Sequence, residues 1–80
     1  MFREYINTAI ESATFEELED GTIYGSVPDL PGVWSNADTE EACRAELEEV
    51  LEEWIALRLS KNLPIPDVAG VSLKVPRALA

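Results

Sequence analysis

Residues 21–42 read GTIYGSVPDLPGVWSNADTEEA, and three changes of pattern inside them decide the fold. Thr22 to Val27 is rich in β-branched and aromatic residues and predicts a strand, with Gly25 either packing closely against a neighbour or marking a bulge. Pro28 and Pro31 then fix φ and remove backbone donors, while Gly32 takes a backbone shape that other residues avoid, so PDLPG predicts a structured loop. Val33 to Ser35 resumes as a short strand. Asp38-Thr39-Glu40-Glu41 is a helix start: either Asp38 or Thr39 caps the free amides, and Glu41 completes a capping box if Asp38 is the cap.

Downstream, Cys43, Leu47, Val50, Leu51, Trp54, Ile55 and Leu57 or Leu59 recur at three- and four-residue spacing, which predicts one long amphipathic helix between Glu40 and Lys61. Glu46, Glu48, Glu49, Glu52 and Glu53 mostly take its outer surface. Glutamates at the front with Arg58 and Lys61 at the back follow the helix macrodipole. Asn62 is the expected C-cap, and Pro64-Ile65-Pro66 prevents continuation, so the helix ends by Leu63. Val71 to Val75, VSLKV, alternates and predicts an edge strand with one face on the core.

Upstream, Tyr5 to Phe15, YINTAIESATF, also shows two-residue alternation and predicts a first strand. Ile6, Thr8, Ile10 and Ser12 fall on one side of it and Tyr5, Ala9, Ala13 and Phe15 on the other. Asp20-Gly21 favours a tight turn and makes a hairpin with the Thr22–Val27 strand. The expected order is β-β-β-α-β: an α+β fold in which a small antiparallel sheet of three to four strands packs on one long helix.

Eighty residues, 46% of them apolar and 28% charged, suit one small core and lie outside the disordered range, so residues 1–80 are expected to form a single domain. A core this small gains appreciably from burial against another copy, and a homodimer or dimer of dimers is expected. Six basic residues against sixteen acidic give a net charge of −10 with no histidine. That field repels phosphate backbones, and the basic residues are scattered, so no direct nucleic-acid binding is expected and a basic protein is the better electrostatic match. The lone Cys43 forms no internal disulfide, and no apolar run approaches the roughly 20 residues that cross a bilayer. A cytoplasmic protein without membrane attachment is expected.

Few residues offer chemistry. Without histidine there is no Ser-His or Cys-His pair, and Cys43 lies on the apolar side of the helix, where a thiol behaves as a small hydrophobe. Acidic clusters hold two metal ions in some nucleases, and Glu40, Glu41, Glu48, Glu49, Glu52 and Glu53 are the place to look for one. Consecutive glutamates on a helix, however, serve mainly as a solvated face with i,i+4 pairs such as Glu40 with Arg44. No catalytic, metal or cofactor residues are therefore expected. Of the two tryptophans, Trp54 sits on the apolar stripe and is expected in the core, whereas alternation turns one of Val33 and Trp34 outward. Trp34, with Glu48 and Glu52 as rim charges, is the candidate partner-binding set.

The stretch Gly21 to Ala42 resembles the HicB-like antitoxin family. The likeness rests on Gly21, Tyr24, the run Val27-Pro28-Asp29-Leu30-Pro31-Gly32, Asp38, Thr39, Glu41 and Ala42, then Trp54, Ile55, Pro64 and Pro66 around the long helix. Ala37 stands where that family often has glycine, and Val33 where cysteine is common; Ala37 must reach its turn without a positive φ or with strain. Many members continue into a helix-turn-helix or ribbon-helix-helix domain, whereas this sequence stops at Ala80, so DNA binding is not carried over. The resemblance implies a degraded ribonuclease H-like sheet without its catalytic carboxylates, and an antitoxin that neutralises a basic HicA-like mRNA interferase by covering its RNA surface. The alternative is a stand-alone HicB-like oligomeric interaction or regulatory domain without a toxin. A third, remoter reading is a metal-dependent nuclease.

Overall fold

The computed structural model describes residues 3–73. It has the expected α+β architecture, a three-stranded antiparallel sheet with one long helix, but the chain opens with a helix. The elements are α1 (Arg3–Glu11), β1 (Thr14–Glu17), β2 (Ile23–Ser26), β3 (Trp34–Ala37) and α2 (Glu40–Ser60). The sheet order is β1-β2-β3, so β2 is central and β1 and β3 are edges.

The opening helix corrects the strand expected from Tyr5 to Phe15. Tyr5, Ile6, Ala9 and Ile10 are all buried. In a strand, Tyr5 and Ile6 would point to opposite faces, whereas in a helix the spacing i, i+1, i+4, i+5 forms one stripe. Only the helix buries all four at once. Nine residues are too few to stabilise an isolated helix, so α1 depends on packing against α2 and the core. The strand begins three residues after the helix ends, at Thr14.

The hairpin forms as expected, with Glu17 opposite Ile23. In its loop, Asp20 Oδ1 accepts from the Thr22 amide at 2.9 Å and the Thr22 hydroxyl at 2.6 Å, and these bonds hold the Asp20 carboxyl below its ordinary pKa. Gly25 packs closely against neighbours rather than marking a bulge: β2 pairs continuously with both edge strands across it. Phe15, Gly25 and Ser35 form one row across the sheet, and this row faces Cys43 of α2. The missing side chain lets the helix lie directly on the sheet, and Ser35 Oγ donates to the Cys43 carbonyl at 2.8 Å beneath it.

The PDLPG loop is held at its neck, where the Val27 amide donates to the Val33 carbonyl. Gly32 adopts φ 94°, a left-handed conformation that costs a side-chain-bearing residue energy. The turn drives Leu30 into the core between Val27 and Val33, all three at most 2% exposed. Ala37 ends β3 without a positive φ, so the substitution noted there carries no strain.

Thr39, not Asp38, is the N-cap of α2: its hydroxyl accepts from the Ala42 amide at 3.1 Å, which places Ala42 rather than Glu41 at the third helical position. Cys43, Leu47, Leu51 and Ile55 form the fully buried line, with Val50, Trp54 and Leu59 packed beside it. At the far end the cap is Lys61, and Asn62 is the next residue, in the left-handed region at φ 56°. The Asn62 and Leu63 amides return to the Leu59 and Arg58 carbonyls, the paired bonds of a Schellman motif.

The chain then folds back over α1. Tyr5 Oη donates to the Pro66 carbonyl at 2.6 Å, and Arg58 Nε donates to the Pro64 carbonyl at 2.8 Å. Val68 is fully buried and exchanges two backbone bonds with Val71 across Ala69 and Gly70, both at positive φ. The edge strand expected at Val71–Val75 is thus reduced to this one bridge among the described residues; Lys74 and Val75 lie outside them.

Candidate binding surface

β3 is an edge strand beside α2, and its alternation shows in its burial. Val33 and Ser35 point inward, while Trp34 is 52% exposed and stacks on Tyr24 with ring centroids 5.9 Å apart. Trp34 is therefore on the surface and Trp54 packs against the core, as the sequence suggested. Arg58 lies over the Trp54 ring at 4.8 Å.

The backbone of β3 is also polarised. The Val27–Val33 bond and the register make Gly25–Ser35 and Ile23–Ala37 the hydrogen-bonded pairs of the ladder. Trp34 and Asn36 occupy the intervening positions, so their amides and carbonyls point away from β2 to the open side of the sheet. The Asn36 side chain looks back instead, donating to Thr22 Oγ1 and the Ile23 carbonyl.

Beside this edge runs an open groove of about 630 Å³ between β3 and one flank of α2, lined by Trp34, Ser35, Asn36, Glu46, Glu49, Val50 and Glu53, with Gly32 at its end. Glu46, Glu49 and Val50 lie within four residues of one another, and Glu53 follows Glu49 by one turn, so the helix repeat aligns all four on one side. The groove thus has Trp34 at its sheet edge, an apolar spot at Val50 and three carboxylates.

The expected grouping of Trp34 with Glu48 and Glu52 is not what the fold assembles. Glu48 lies on the opposite flank of α2, where its carboxylate meets Arg3 of α1 at 3.3 Å; Glu52, one turn on, is aligned with it and away from the groove. The acids that accompany Trp34 are Glu46, Glu49 and Glu53. Glu40 does pair with Arg44 at 4.0 Å, as the spacing suggested.

Cys43 is fully buried, with its thiol 3.2 Å from Ser35 Oγ. Among the described residues no three Asp, Glu or Cys side chains come together as metal ligands, and no helix is long and apolar enough to cross a membrane. Arg44 covers the Phe15 ring at 5.2 Å and Arg3 is paired with Glu48, so two of the basic residues sit on the flank away from the groove.

Comparison with known proteins places the chain in a family. No curated protein matches it. The crystal structure of TTHA0281 from Thermus thermophilus is similar, with a TM-score of 0.85 and 33% identity over 94% of this chain and 94% of that one. The UPF0150-like profile matches residues 4–66, from α1 through the Pro64–Pro66 segment, and the chain belongs to the UPF0150-like family.

Proposed function

We propose that this protein works by binding rather than catalysis, as a HicB-like antitoxin that occludes a basic HicA-like mRNA interferase in the cytoplasm. The observation that carries the reading is the groove along β3, where a half-exposed tryptophan stands beside three glutamates on a protein of net charge −10. An exposed aromatic anchor ringed by charge is the composition of a protein-docking surface. The HicB-like resemblance of Val27–Gly32 supports the same reading, because that loop sets the position of β3 by its Val27–Val33 neck. A second reading, a stand-alone oligomeric interaction or regulatory domain, is favoured by Leu57 and Leu63, which are 54% and 43% exposed near the end of α2. Self-association as a homodimer or dimer of dimers belongs to both readings.

The test is association with the product of the adjacent gene, followed by stopped flow at several salt concentrations. The on-rate is expected to fall as the Debye length shrinks from about 30 Å at 0.01 M to about 10 Å at 0.1 M. Equimolar protein is expected to suppress the partner's RNA cleavage. A salt-independent on-rate, or cleavage that continues in excess of this protein, defeats the antitoxin reading.

A further inference from the structure

We propose that the open edge of β3 accepts an extended segment of a basic partner protein as a fourth, antiparallel strand. Its residues facing α2 are basic, and the residues between them are apolar and pack beside Trp34. The inference rests on the binding-module reading and specifies how binding is done.

Three features converge on it. First, the outward amides and carbonyls of Trp34 and Asn36 form the repeating donor–acceptor row that a strand pairs with. No described residue pairs with that side of β3. Second, the groove alongside β3 is where a fourth strand's inward side chains lie. Residues opposite Ser35 share its face and project toward α2, where they meet Glu46, Glu49 and Glu53 with Val50 between them. Third, residues opposite Trp34 share the outer face, where the indole already stacks on Tyr24 and extends that aromatic surface to the edge. Main-chain bonds supply the pairing in this mode of recognition, and alternate side chains supply the selectivity.

Charge decides the occupant. A second copy pairing edge to edge across β3 would bring two sets of Glu46, Glu49 and Glu53 together beside a shared strand, a like-charge arrangement that opposes association. A strand carrying Lys or Arg at every second position converts the same carboxylates into cross-groove ion pairs.

The experiment uses the full-length protein, 15N-labelled, and three synthetic ten-residue peptides with blocked ends. One alternates Lys with Val, one has the same composition with its lysines in a block, and one alternates but is N-methylated at every second residue on its pairing edge. The alternating peptide is expected to shift the amide resonances of Trp34 and Asn36 most. The blocked and N-methylated peptides should bind at least about tenfold more weakly, since one loses the side-chain register and the other the main-chain bonds. Glu46→Lys combined with Glu49→Lys, both exposed positions, should weaken the alternating peptide by a similar factor and leave the remaining spectrum unchanged. Equal binding of the N-methylated peptide overturns strand addition. So does protection of the Trp34 and Asn36 amides in the free protein, which would mean that a second copy or this chain's own C-terminal residues already hold the edge. If the basic product of the adjacent gene binds but leaves those two amides unmoved, the edge proposal fails while the binding-module reading stands.

Discussion

Replacing Gly25 with alanine is expected to destabilise the protein, and the size of the effect follows from what the added methyl would touch. A Cβ at Gly25 would stand 2.7 and 2.8 Å from Phe15 Cε1 and Cδ1 and 2.9 Å from Cys43 Sγ. Carbon atoms pack best at about 3.5–4.0 Å, so both neighbours must retreat by most of an ångström. Phe15 lies on an edge strand and has room to tilt. Cys43 does not, because its thiol and carbonyl both engage Ser35 and its helix is pinned along the whole Leu47–Ile55 line. Overpacking of this kind costs about 1–3 kcal/mol. Against it stands a gain of about 0.4–1 kcal/mol from the reduced freedom of the unfolded chain. At their midpoints the two leave a loss of about 1.3 kcal/mol, equivalent to about 5–10 °C in Tm for a domain of this size. Urea unfolding monitored by tryptophan fluorescence measures it, and a double-mutant cycle with Cys43→Ala locates it. The double variant should be more stable than the sum of the two single losses predicts, by at least about 0.5 kcal/mol. A Gly25→Ala protein as stable as the parent, or more so, would refute the close approach of helix and sheet on which the fold description rests.

Two further outcomes probe the ends of the fold. Tyr5→Phe leaves the Pro66 carbonyl without its donor and should cost about 1–2 kcal/mol near neutral pH. Burial, and then Asp67 and Asp29, raise the Tyr5 hydroxyl above its ordinary pKa of 10.0, so the fold favours the neutral phenol. That contribution is complete below pH 10 and is lost as pH rises through and above 10; denaturation curves across this range should show the parent losing more stability than Tyr5→Phe. Thr39→Ala should cost about 1 kcal/mol in urea unfolding while Asp38→Ala stays near neutral; the reverse ranking would move the cap to Asp38.

Much of the fold was legible because its punctuation is chemical. Pro28, Pro31 and Gly32 fix a loop wherever they occur in this spacing, Asp20-Gly21 fixes a hairpin turn, and the Cys43–Ile55 stripe admits no reading but a helix. The Tyr5–Phe15 segment carries no such mark. Its β-branched and aromatic residues favour extended structure locally, and only the need to bury Tyr5, Ile6, Ala9 and Ile10 on one side selects the helix, a tertiary requirement that propensity does not contain. The same miss misdirected the grouping of the candidate surface residues. Both flanks of α2 carry glutamates, and the sequence does not say which flank faces β3. Once α1 is a helix against α2, Arg3 meets Glu48 on one flank, and Glu46, Glu49 and Glu53 are left along the sheet edge on the other. For Trp34, alternation said only that one of Val33 and Trp34 turns outward, and the burial of Val33 in the fold decides that it is Trp34.

The bond from Tyr5 to Pro66 also bears on how the chain reaches its native state. It joins residues 61 apart, closing a loop around nearly the whole fold, and loop-closure entropy must be overcome before it forms. α1, nine residues long and unable to persist alone, waits for α2 and the core to pack against, and its bond to Pro66 closes only after them. During synthesis, then, α1 emerges before the α2 on which it packs. Through synthesis of the sheet and of α2, the apolar stripe of Tyr5, Ile6, Ala9 and Ile10 waits for a surface completed only when Pro66 and Val68 emerge from the exit tunnel. For that interval the nascent chain exposes the hydrophobic surface that chaperones bind.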